Sequence, residues 1–304
     1  MPDELILVAG ASGALGSVLV RRLLASGYPV RALGRNPRKL AMLGVHGAEP
    51  FVADMLDRGA MDEACAGVSQ VVSTANNILG RGRTSCNRID EEMYRTSGAA
   101  AKAAGVGRWV HISARDLAPD SPVDYFRVKH RVEAIVRGFD VPWVVIRPSA
   151  YIDIWMGVLF GDAEKPKKVA TVFGDGSSVV NYIAMDDVAS FVLAIVRDGS
   201  VRNEIIDVGG PTETSFVDFA SRVQRIRRLP EKRRHVPVPV LGLARHVTRP
   251  FNEVAARFAS LGWWTTLGDR RFPEWRLAAA RFRVDPVTLD EFAEQHYAAP
   301  RQSD

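Results

Sequence analysis

The sequence predicts an α/β protein with a doubly wound parallel sheet. Short apolar, β-branched runs alternate with amphipathic helical stretches through the first two thirds of the 304 residues. A glycine-rich turn separates the first of these runs from the first helical stretch. Because strand–helix–strand units close by right-handed crossovers, this alternation favours parallel strands covered by helices on both faces.

Each element follows from a local pattern. The first six strands are predicted at residues 5–8, 30–33, 51–53, 71–74, 109–112 and 143–146, where apolar and β-branched side chains cluster. Helices are expected between them, including 91–104 and 122–137. The chain then returns to the core with a strand at 182–184, a helix at 186–197 and a strand at 205–208. Residues 161–178 are interpreted as a long loop, and the region from residue 211 onward as mainly helical.

Composition argues against several classes of protein. Hydrophobic residues make up 47% and charged residues 25%, which is typical of a globular protein. No apolar run reaches the roughly eighteen residues of a membrane span, and no secretory signal is recognisable, so we expect a cytoplasmic protein. The net charge of +5 is concentrated in residues 222–234, which we interpret as a solvated helix face and loop and not as a nucleic-acid or membrane surface.

The sequence gives no sign of a disulfide framework or a metal site. The two cysteines, Cys65 and Cys86, fit neither a disulfide pattern nor a metal-ligand spacing. The six histidines form no cluster with carboxylates along the chain. We therefore assign no metal.

The turn after the first predicted strand has the composition of a phosphate-binding loop. Its glycines permit a sharp turn and a close approach of the backbone to a pyrophosphate, which then binds the N–H groups at the helix start. The turn follows a strand and opens a helix, which is the context that this motif requires. We therefore predict a Rossmann-type dinucleotide site whose first loop contributes Gly10, Ala11, Ser12, Gly13, Ala14, Leu15 and Gly16.

The tip of the second strand indicates which dinucleotide is bound. An NAD site usually places a carboxylate there for the ribose 2′-hydroxyl, and the segment 30–37 contains none. Arg35 can instead hold a 2′-phosphate by two parallel hydrogen bonds, and Lys39 adds positive charge. The alternative is that Arg35 is a solvated loop residue. The sequence favours NADP(H) as cofactor.

Two further segments are predicted to contact the adenosine half of the cofactor. Asp54, with Met55 beside it, follows the third strand, and its carboxylate can accept a hydrogen bond from the adenine amino group. The alternative for Asp54 is a helix N-cap. The backbone of Thr74, Ala75 and Asn76, at the end of the fourth strand, should run beside the ribose and pyrophosphate.

A tyrosine and a lysine share one face of the helix predicted at 122–137, for which Ser121 is the expected cap. Tyr125 and Lys129 are four residues apart, and Ser113 ends the fifth strand. A neighbouring ammonium stabilises phenolate, so Tyr125 could protonate a carbonyl oxygen while Ser113 orients it and Lys129 holds the nicotinamide ribose. The alternative is a buried tyrosine and a lysine that only pack.

On these residues the sequence resembles the short-chain dehydrogenase/reductase superfamily, specifically its atypical NmrA-like branch. The matching segments span about residues 4–230 and comprise 10–16, 35–39, 53–54, 103–106, 109–113, 125–129, 144–148, 185–188 and 206–211. The resemblance implies that Arg147, Pro148 and Tyr151 lie against the nicotinamide. One departure is that an asparagine of many relatives, part of a proton relay through water, has no clear counterpart between residues 90 and 100.

The resemblance implies a choice between two functions. The first is an NADPH-dependent oxidoreductase that reduces a hydrophobic carbonyl, quinone or enone, and the presence of Ser113, Tyr125 and Lys129 favours it. The second is a non-catalytic NADP(H)-sensing regulator or accessory subunit. A nucleotide-sugar epimerase or dehydratase is a more distant third, because the superfamily shares the same residues.

These expectations translate into a domain organisation. A cofactor-binding core is predicted for residues 1–155, completed by about 181–209. Residues 156–180 and 210–304 should form a smaller, mainly helical cap that binds a small-molecule substrate. A homodimer is compatible with the sequence.

Overall fold

The computed structural model describes residues 4–161 and 169–297. The chain divides into two compact units, each made of two sequence segments. The first unit comprises Met1–Arg147 and Val188–Asp207, and the second comprises Pro148–Asp187 and Val208–Asp304. Within the described ranges, no helix is both long enough and apolar enough to cross a membrane.

The strands are, in chain order, β1 Ile6–Ala9, β2 Val30–Gly34, β3 Glu49–Val52, β4 Gln70–Ser73, β5 Arg108–Ile112, β6 Trp143–Pro148, β7 Ala150–Tyr151, β8 Val169–Phe173, β9 Val179–Ile183, β10 Glu204–Val208, β11 Thr212–Ser215 and β12 Lys232–Val236. The helices are α1 Ala14–Ala25, α2 Pro37–Gly44, α3 Arg58–Cys65, α4 Cys86–Ala103, α5 Asp124–Arg137, α6 Ile152–Phe160, α7 Met185–Arg197, α8 Phe216–Ile226, α9 Val238–Val247, α10 Glu253–Trp264, α11 Trp275–Phe282 and α12 Leu289–Tyr297.

A seven-stranded sheet forms the centre of the first unit and confirms the predicted doubly wound fold. Its strand order is β10-β6-β5-β4-β1-β2-β3. Within this order, each strand from β6 through β3 pairs in parallel with the next. Ile6 lies between Val30 of β2 and Gln70 of β4. The order therefore reverses beside β1, and the carboxyl ends of β1 and β4 border the crevice in which such sheets bind ligands.

Burial explains why these residues form a central strand and a covering helix. All four residues of β1 are completely buried, as expected for a parallel strand covered on both faces. Leu15, Leu19 and Leu23 of α1 are also buried, and their spacing of four residues places them on one face of the helix. The continuous apolar run that predicted β1 and the helical spacing that predicted α1 therefore both correspond to buried residues.

A buried guanidinium connects β5 to the later segment of the first unit. Arg108 is 4% exposed, and its Nε and Nη2 atoms donate to Gln70 Oε1 at 3.0 and 2.7 Å. The same guanidinium donates to the backbone carbonyls of Ile195, Val196, Asp198 and Val201. Carbonyl groups in the last turn of a helix lack partners within that helix, so Arg108 satisfies acceptors that α7 leaves open.

The second unit contains two small sheets and a helical core. Antiparallel β11 and parallel β7 flank β9, while β12 pairs in parallel with β8. Its core combines aliphatic side chains with aromatic pairs: the ring centroids of Tyr182 and Phe219 are 4.9 Å apart, and those of Trp155 and Phe216 are 4.6 Å apart. The interpretation of this unit as a substrate cap stays a prediction.

Two loops expected in this region are strands in part. Residues 169–173, within the expected loop 161–178, form β8, and residues 232–234, within the expected helix face and loop 222–234, lie in β12. Residues 162–168 of the first loop lie outside the described residues. The described chain from residue 211 onward is mainly helical, as predicted.

In β8, buried Ala170 and Val172 alternate with more exposed neighbours, which is the period of a half-buried strand. Its partner strand β12 has the sequence Lys-Arg-Arg-His-Val. This sequence shows no alternation of apolar and polar residues, so no hydrophobic pattern predicts the strand.

The basic segment 222–234 is partly engaged in ion pairs. Arg222 Nε lies 3.0 Å from Asp218, and its Nη1 lies 3.4 Å from Asp290. Arg233 Nη2 lies 3.5 Å from Glu231. The segment comprises the end of α8, a turn and most of β12, and its interpretation as solvated surface stays a prediction.

Replacing Arg108 should destabilise the first unit strongly. Arg108→Leu keeps an apolar stem but leaves Gln70 and several buried carbonyl groups without a donor, which should cost about 2–5 kcal/mol of unfolding free energy. Urea denaturation of the purified variant measures this loss. Arg137→Leu, at an exposed position on α5, is the control and should change stability by about 0.5 kcal/mol or less. A similar small effect for both variants would refute the assigned role.

Candidate functional site

The turn after β1 is closely packed at its first and last glycines. Gly10 has a φ of +85°, and a Cβ at this position would lie 2.9 Å from the Cα of Ala75. A Cβ at Gly16 would overlap the carbonyl oxygen of Gly10. Side chains are therefore excluded where β1, the start of α1 and the end of β4 meet.

The middle glycine lies in a more open position. Gly13 is the N-cap residue of α1, so this helix begins without a capping side chain. Its first turn contains no acidic residue. A Cβ built on Gly13 would approach within 4 Å of Gly10 O alone, at 3.2 Å. Unpartnered N–H groups and the positive end of the helix dipole favour an anion here, so the loop fits a pyrophosphate.

A cationic pocket lies at the tip of β2. It has a volume of about 460 Å³ and is lined by Ser12, Arg35, Asn36, Pro37 and Arg38, a set with two guanidinium groups and no carboxylate. Lys39, predicted to add charge, is exposed in the first turn of α2 and is not among the lining residues. The pocket offers donors suited to a phosphate group.

Arg35 contacts Asn77, a residue that no local sequence motif marks. Its Nη2 atom donates to Asn77 Oδ1 at 2.8 Å, across 42 residues of sequence. The only hint in the sequence is that Asn77 directly follows the predicted contact segment 74–76. A side-chain contact between two strand tips depends on the strand order, which periodicity does not reveal.

The two segments predicted for the adenosine half lie at neighbouring strand ends. Asp54 accepts a hydrogen bond from Leu56 N at 3.1 Å, while Asp57 caps α3, so the alternative of Asp54 as a helix N-cap is wrong. Met55 is buried, and its carbonyl accepts from Ser97 Oγ. The contact of Asp54 and Met55 with the cofactor stays a prediction.

Residues 74–76 lie directly beside the glycine turn. The Oγ1 atom of Thr74 donates to Gly10 O at 3.4 Å, and Ala75 O accepts from the hydroxyl of Tyr94 at 2.8 Å. Asn76 is exposed, and its Nδ2 donates to Thr74 O at 3.2 Å. The structure therefore brings these three residues together with the phosphate loop.

Helix α5 presents Tyr125 and Lys129 on one face, as predicted, but begins differently. It starts at Asp124 after the N-cap Val123, so the prediction of Ser121 as its cap is wrong. Ser121 Oγ instead accepts from Val123 N at 3.3 Å, because Ser121 stands too far before the helix to reach its first turn. The Nζ atom of Lys129 lies 5.6 Å from the centroid of the Tyr125 ring.

Lys129 connects this helix face to the end of β5. Its Nζ donates to Ile112 O at 3.2 Å, one residue before Ser113. Ser113 Oγ is buried and has no hydrogen-bond partner among the described residues. A buried hydroxyl without a partner is costly, so this oxygen fits a site that a ligand oxygen completes.

Burial changes the acid–base behaviour of Lys129. Desolvation lowers the pKa of its ammonium group from 10.5 to about 8, and the nearby carboxylates of Asp90 and Glu133 oppose that shift. At neutral pH the group still carries its charge for the most part. An ammonium held beside a phenol stabilises the phenolate form, which is the chemistry that a tyrosine proton donor requires.

Two predicted residues belong to the second unit. Pro148 ends β6 and is buried, while Tyr151 is the N-cap residue of α6 and half-buried. Burial raises the pKa of the Tyr151 hydroxyl. Their predicted position at the nicotinamide stays a prediction. In the first unit, Arg147 donates to the buried carboxylate of Glu133, with Nε at 2.9 Å from Oε1 and Nη2 close to Oε2.

The composition and packing of the glycine turn fit a pyrophosphate, and the turn lies where the strand order reverses, which is where α/β sheets bind dinucleotides. The chain is therefore an NAD(P)H-binding α/β protein. It belongs to the NAD(P)H-binding family that matches residues 10–199. Its resemblance to the atypical, NmrA-like short-chain dehydrogenase/reductases is thereby confirmed.

Relatives of this chain include a reductase and an assembly factor. The NAD(P)H azoreductase of Xenophilus azovorans is 25% identical over 308 residues, covering 97% of this chain and 99% of that protein. The photosystem II assembly factor Ycf39 of Cyanophora paradoxa is 24% identical over 246 residues, covering 80% of this chain and 75% of that protein.

Solved structures share the fold. The triphenylmethane reductase of Citrobacter sp., in complex with NADP(H), has a TM-score of 0.76 at 20% identity and covers 96% of this chain and 99% of its own. The quinone oxidoreductase QOR2 of Escherichia coli, in complex with NADPH, has a TM-score of 0.74 at 18% identity and covers 95% and 99%.

The lowered pKa of Lys129 should appear as a pH-dependent contribution to stability. Between about pH 8 and pH 10.5 the folded chain releases this proton before the unfolded chain does. The unfolded state then binds more protons, so stability rises with pH across this window. Lys129→Met removes the effect, so the difference in unfolding free energy between wild type and variant should shift by roughly 2–4 kcal/mol from about pH 7 to about pH 10.

Urea denaturation at several pH values measures this difference. Lys102→Met, at an exposed position on α4, is the control for the loss of a lysine. A pH-independent difference between wild type and Lys129→Met would show that burial does not lower this pKa.

Proposed function

We propose that this protein is an NADPH-dependent oxidoreductase that reduces a hydrophobic carbonyl, quinone or enone. The observation that carries the proposal is the group formed by Tyr125, Lys129 and Ser113 at the carboxyl end of β5. Lys129 reaches the carbonyl next to Ser113, whose buried hydroxyl has no partner among the described residues. Bound NADPH supplies the hydride.

In this proposal Tyr125 gives a proton to the substrate oxygen. Lys129 stabilises the phenolate that remains and holds the nicotinamide ribose, while the Ser113 hydroxyl orients the substrate oxygen. Asp54 accepts from the adenine amino group, and residues 74–76 run beside the ribose and pyrophosphate. Pro148 and Tyr151 contact the nicotinamide, as the family resemblance implies.

The preference for NADP(H) over NAD(H) belongs to the same proposal. Arg35 and Arg38 line a pocket that lacks any carboxylate, and a ribose 2′-phosphate would meet two cations there. Carboxylates at this strand tip are what NAD sites use for the 2′-hydroxyl. The solved structures of similar fold that were determined with NADPH or NADP(H) support this choice.

A second candidate is a non-catalytic NADP(H)-sensing regulator or accessory subunit. The relative named as a photosystem II assembly factor favours this candidate, because that protein of similar sequence is named for a role in assembly. The azoreductase relative, which matches nearly the whole of both chains, favours the reductase. Both candidates predict that the protein binds NADP(H), but only the reductase is expected to turn over a substrate.

Arg35→Ala should weaken NADPH binding selectively. Loss of charge-assisted hydrogen bonds to the 2′-phosphate should cost roughly 1–3 kcal/mol for NADPH and little for NADH, which has no such phosphate. Titration calorimetry with both cofactors measures the two losses. Arg21→Ala, an exposed arginine of α1, is the control for the change in net charge. Equal losses for the two cofactors would contradict the assignment of Arg35.

Tyr125→Phe should separate the two candidate functions. Phenylalanine keeps the ring but deletes the hydroxyl, so NADPH affinity should barely change while kcat falls by about 10²–10⁴, the range for a positioned general acid. The assay is the loss of NADPH absorbance with a panel of quinones, enones and hydrophobic carbonyl compounds. Tyr28→Phe, outside the proposed site, controls for the substitution itself.

The other outcomes are equally informative. Turnover by Tyr125→Phe within a few fold of wild type would mean that the proton comes from water or another group. Tight NADPH binding by a wild type that turns over no member of the panel would favour the sensor or accessory function.

A further inference from the structure

Asn77 joins Arg35 to a buried carboxylate of α4. It is 5% exposed, and its Oδ1 accepts from Arg35 Nη2 at 2.8 Å. Its Nδ2 donates to Asp90 Oδ1 at 2.7 Å, and its backbone N donates to Asp90 Oδ2 at 3.3 Å. Asp90 is 2% exposed, so this chain of contacts leads from the surface pocket into the interior of the first unit.

The carboxylate of Asp90 determines which way the Asn77 amide points. A carboxylate accepts hydrogen bonds and donates none, so the amide NH₂ must face Asp90 and the amide oxygen must face away from it. That oxygen is the atom that Arg35 contacts. With the opposite orientation, the NH₂ group would face the guanidinium, and two donors would oppose each other.

The hydrogen bond to Asn77 holds the Arg35 side chain in place and uses one of its N–H groups. A guanidinium carries five N–H donors, and Asn77 accepts from one N–H of Nη2, which leaves the second N–H of Nη2 and those of Nε and Nη1 for a phosphate. An exposed arginine loses side-chain entropy when a ligand immobilises it. A guanidinium already held in place at the pocket loses less, and the ligand binds more tightly.

We propose that Asn77, oriented by Asp90, is a specificity-determining residue for NADP(H), because it fixes the guanidinium of Arg35 at the 2′-phosphate pocket. The inference rests on the proposed function, in which Arg35 binds that phosphate. Asn77 and Asp90 act through Arg35 and are positioning residues. Through Arg35 they contribute to the affinity for NADPH and not to the affinity for NADH, which has no 2′-phosphate.

A double-mutant cycle tests the inference. Titration calorimetry gives the Kd values for NADPH and NADH of wild type, Arg35→Ala, Asn77→Leu and the double variant. Asn77→Leu alone should weaken NADPH binding by about 3- to 10-fold, the size of one hydrogen bond, and should change NADH binding less than twofold. In the Arg35→Ala background the same substitution should have no further effect on NADPH, because Asn77 acts through Arg35.

Asp90→Asn provides a second variant in case Asn77→Leu disturbs folding, which thermal unfolding reports. Asparagine has the shape of aspartate but can donate, so it no longer forces the Asn77 amide into one orientation. NADPH affinity should therefore fall more than NADH affinity, because any effect of Asp90 on Lys129 is common to both cofactors. Met93→Leu is the control: Met93 Sδ lies 3.8 Å from Asn77 Nδ2, so this variant alters packing beside Asn77 without removing the Arg35 contact.

Three results would overturn the inference while leaving the proposed function intact, provided that Arg35→Ala is selective for NADPH. These are equal losses for NADPH and NADH in Asn77→Leu, a further loss in the Arg35→Ala background, and tighter NADPH binding by Asn77→Leu. The last result would mean that Asn77 competes with the phosphate for Arg35. If Arg35→Ala itself is unselective, the assignment of Arg35 fails first, and the inference fails with it.

Discussion

At Gly10 and Gly16 the backbones of β1, β4 and α1 approach one another so closely that no side chain fits between them. The Cβ of any other residue at position 10 would lie 2.9 Å from the backbone of Ala75, and at position 16 it would overlap the Gly10 carbonyl. These three segments therefore fix one another in position. Residues at the neighbouring strand ends, Arg35 after β2 and residues 74–77 after β4, are consequently presented from a rigid frame, which is what a binding site requires.

Charge is distributed unevenly over this frame. The pocket at the tip of β2 has two guanidinium groups and no carboxylate, whereas the carboxylates of Asp90 and Glu133 lie in the interior. Both interior carboxylates act on Lys129, whose pKa burial lowers to about 8 while they oppose that shift. The two interior carboxylates thus help Lys129 to stay charged near neutral pH. The guanidinium groups of the pocket at the tip of β2 have no such carboxylate in the pocket lining and can attract an anion.

Local sequence patterns are sufficient for the sheet of the first unit and for the positions of most candidate site residues, whose contacts with a cofactor stay predictions. Apolar runs marked β1, β2, β4, β5 and β6, and the glycine turn and the Tyr125–Lys129 face were found because their spacing is local. Asn77 was missed because its contact with Arg35 spans 42 residues and depends on strand order. The strand Lys232–Val236 was missed because a row of basic side chains shows no hydrophobic period.

The first unit is assembled from two separated stretches of chain, and this affects the order in which it folds during synthesis. Arg108 leaves the ribosome well before its carbonyl acceptors, which lie 87 to 93 residues later in the sequence. Until those acceptors emerge, its guanidinium has to stay hydrated, because burying an unpaired charge is costly. Strand β10 and the hydrogen bonds of Arg108 to these carbonyl groups therefore form only after residues 148–187 have been made. A nascent chain that ends earlier keeps one flank of its sheet open to water and to chaperones.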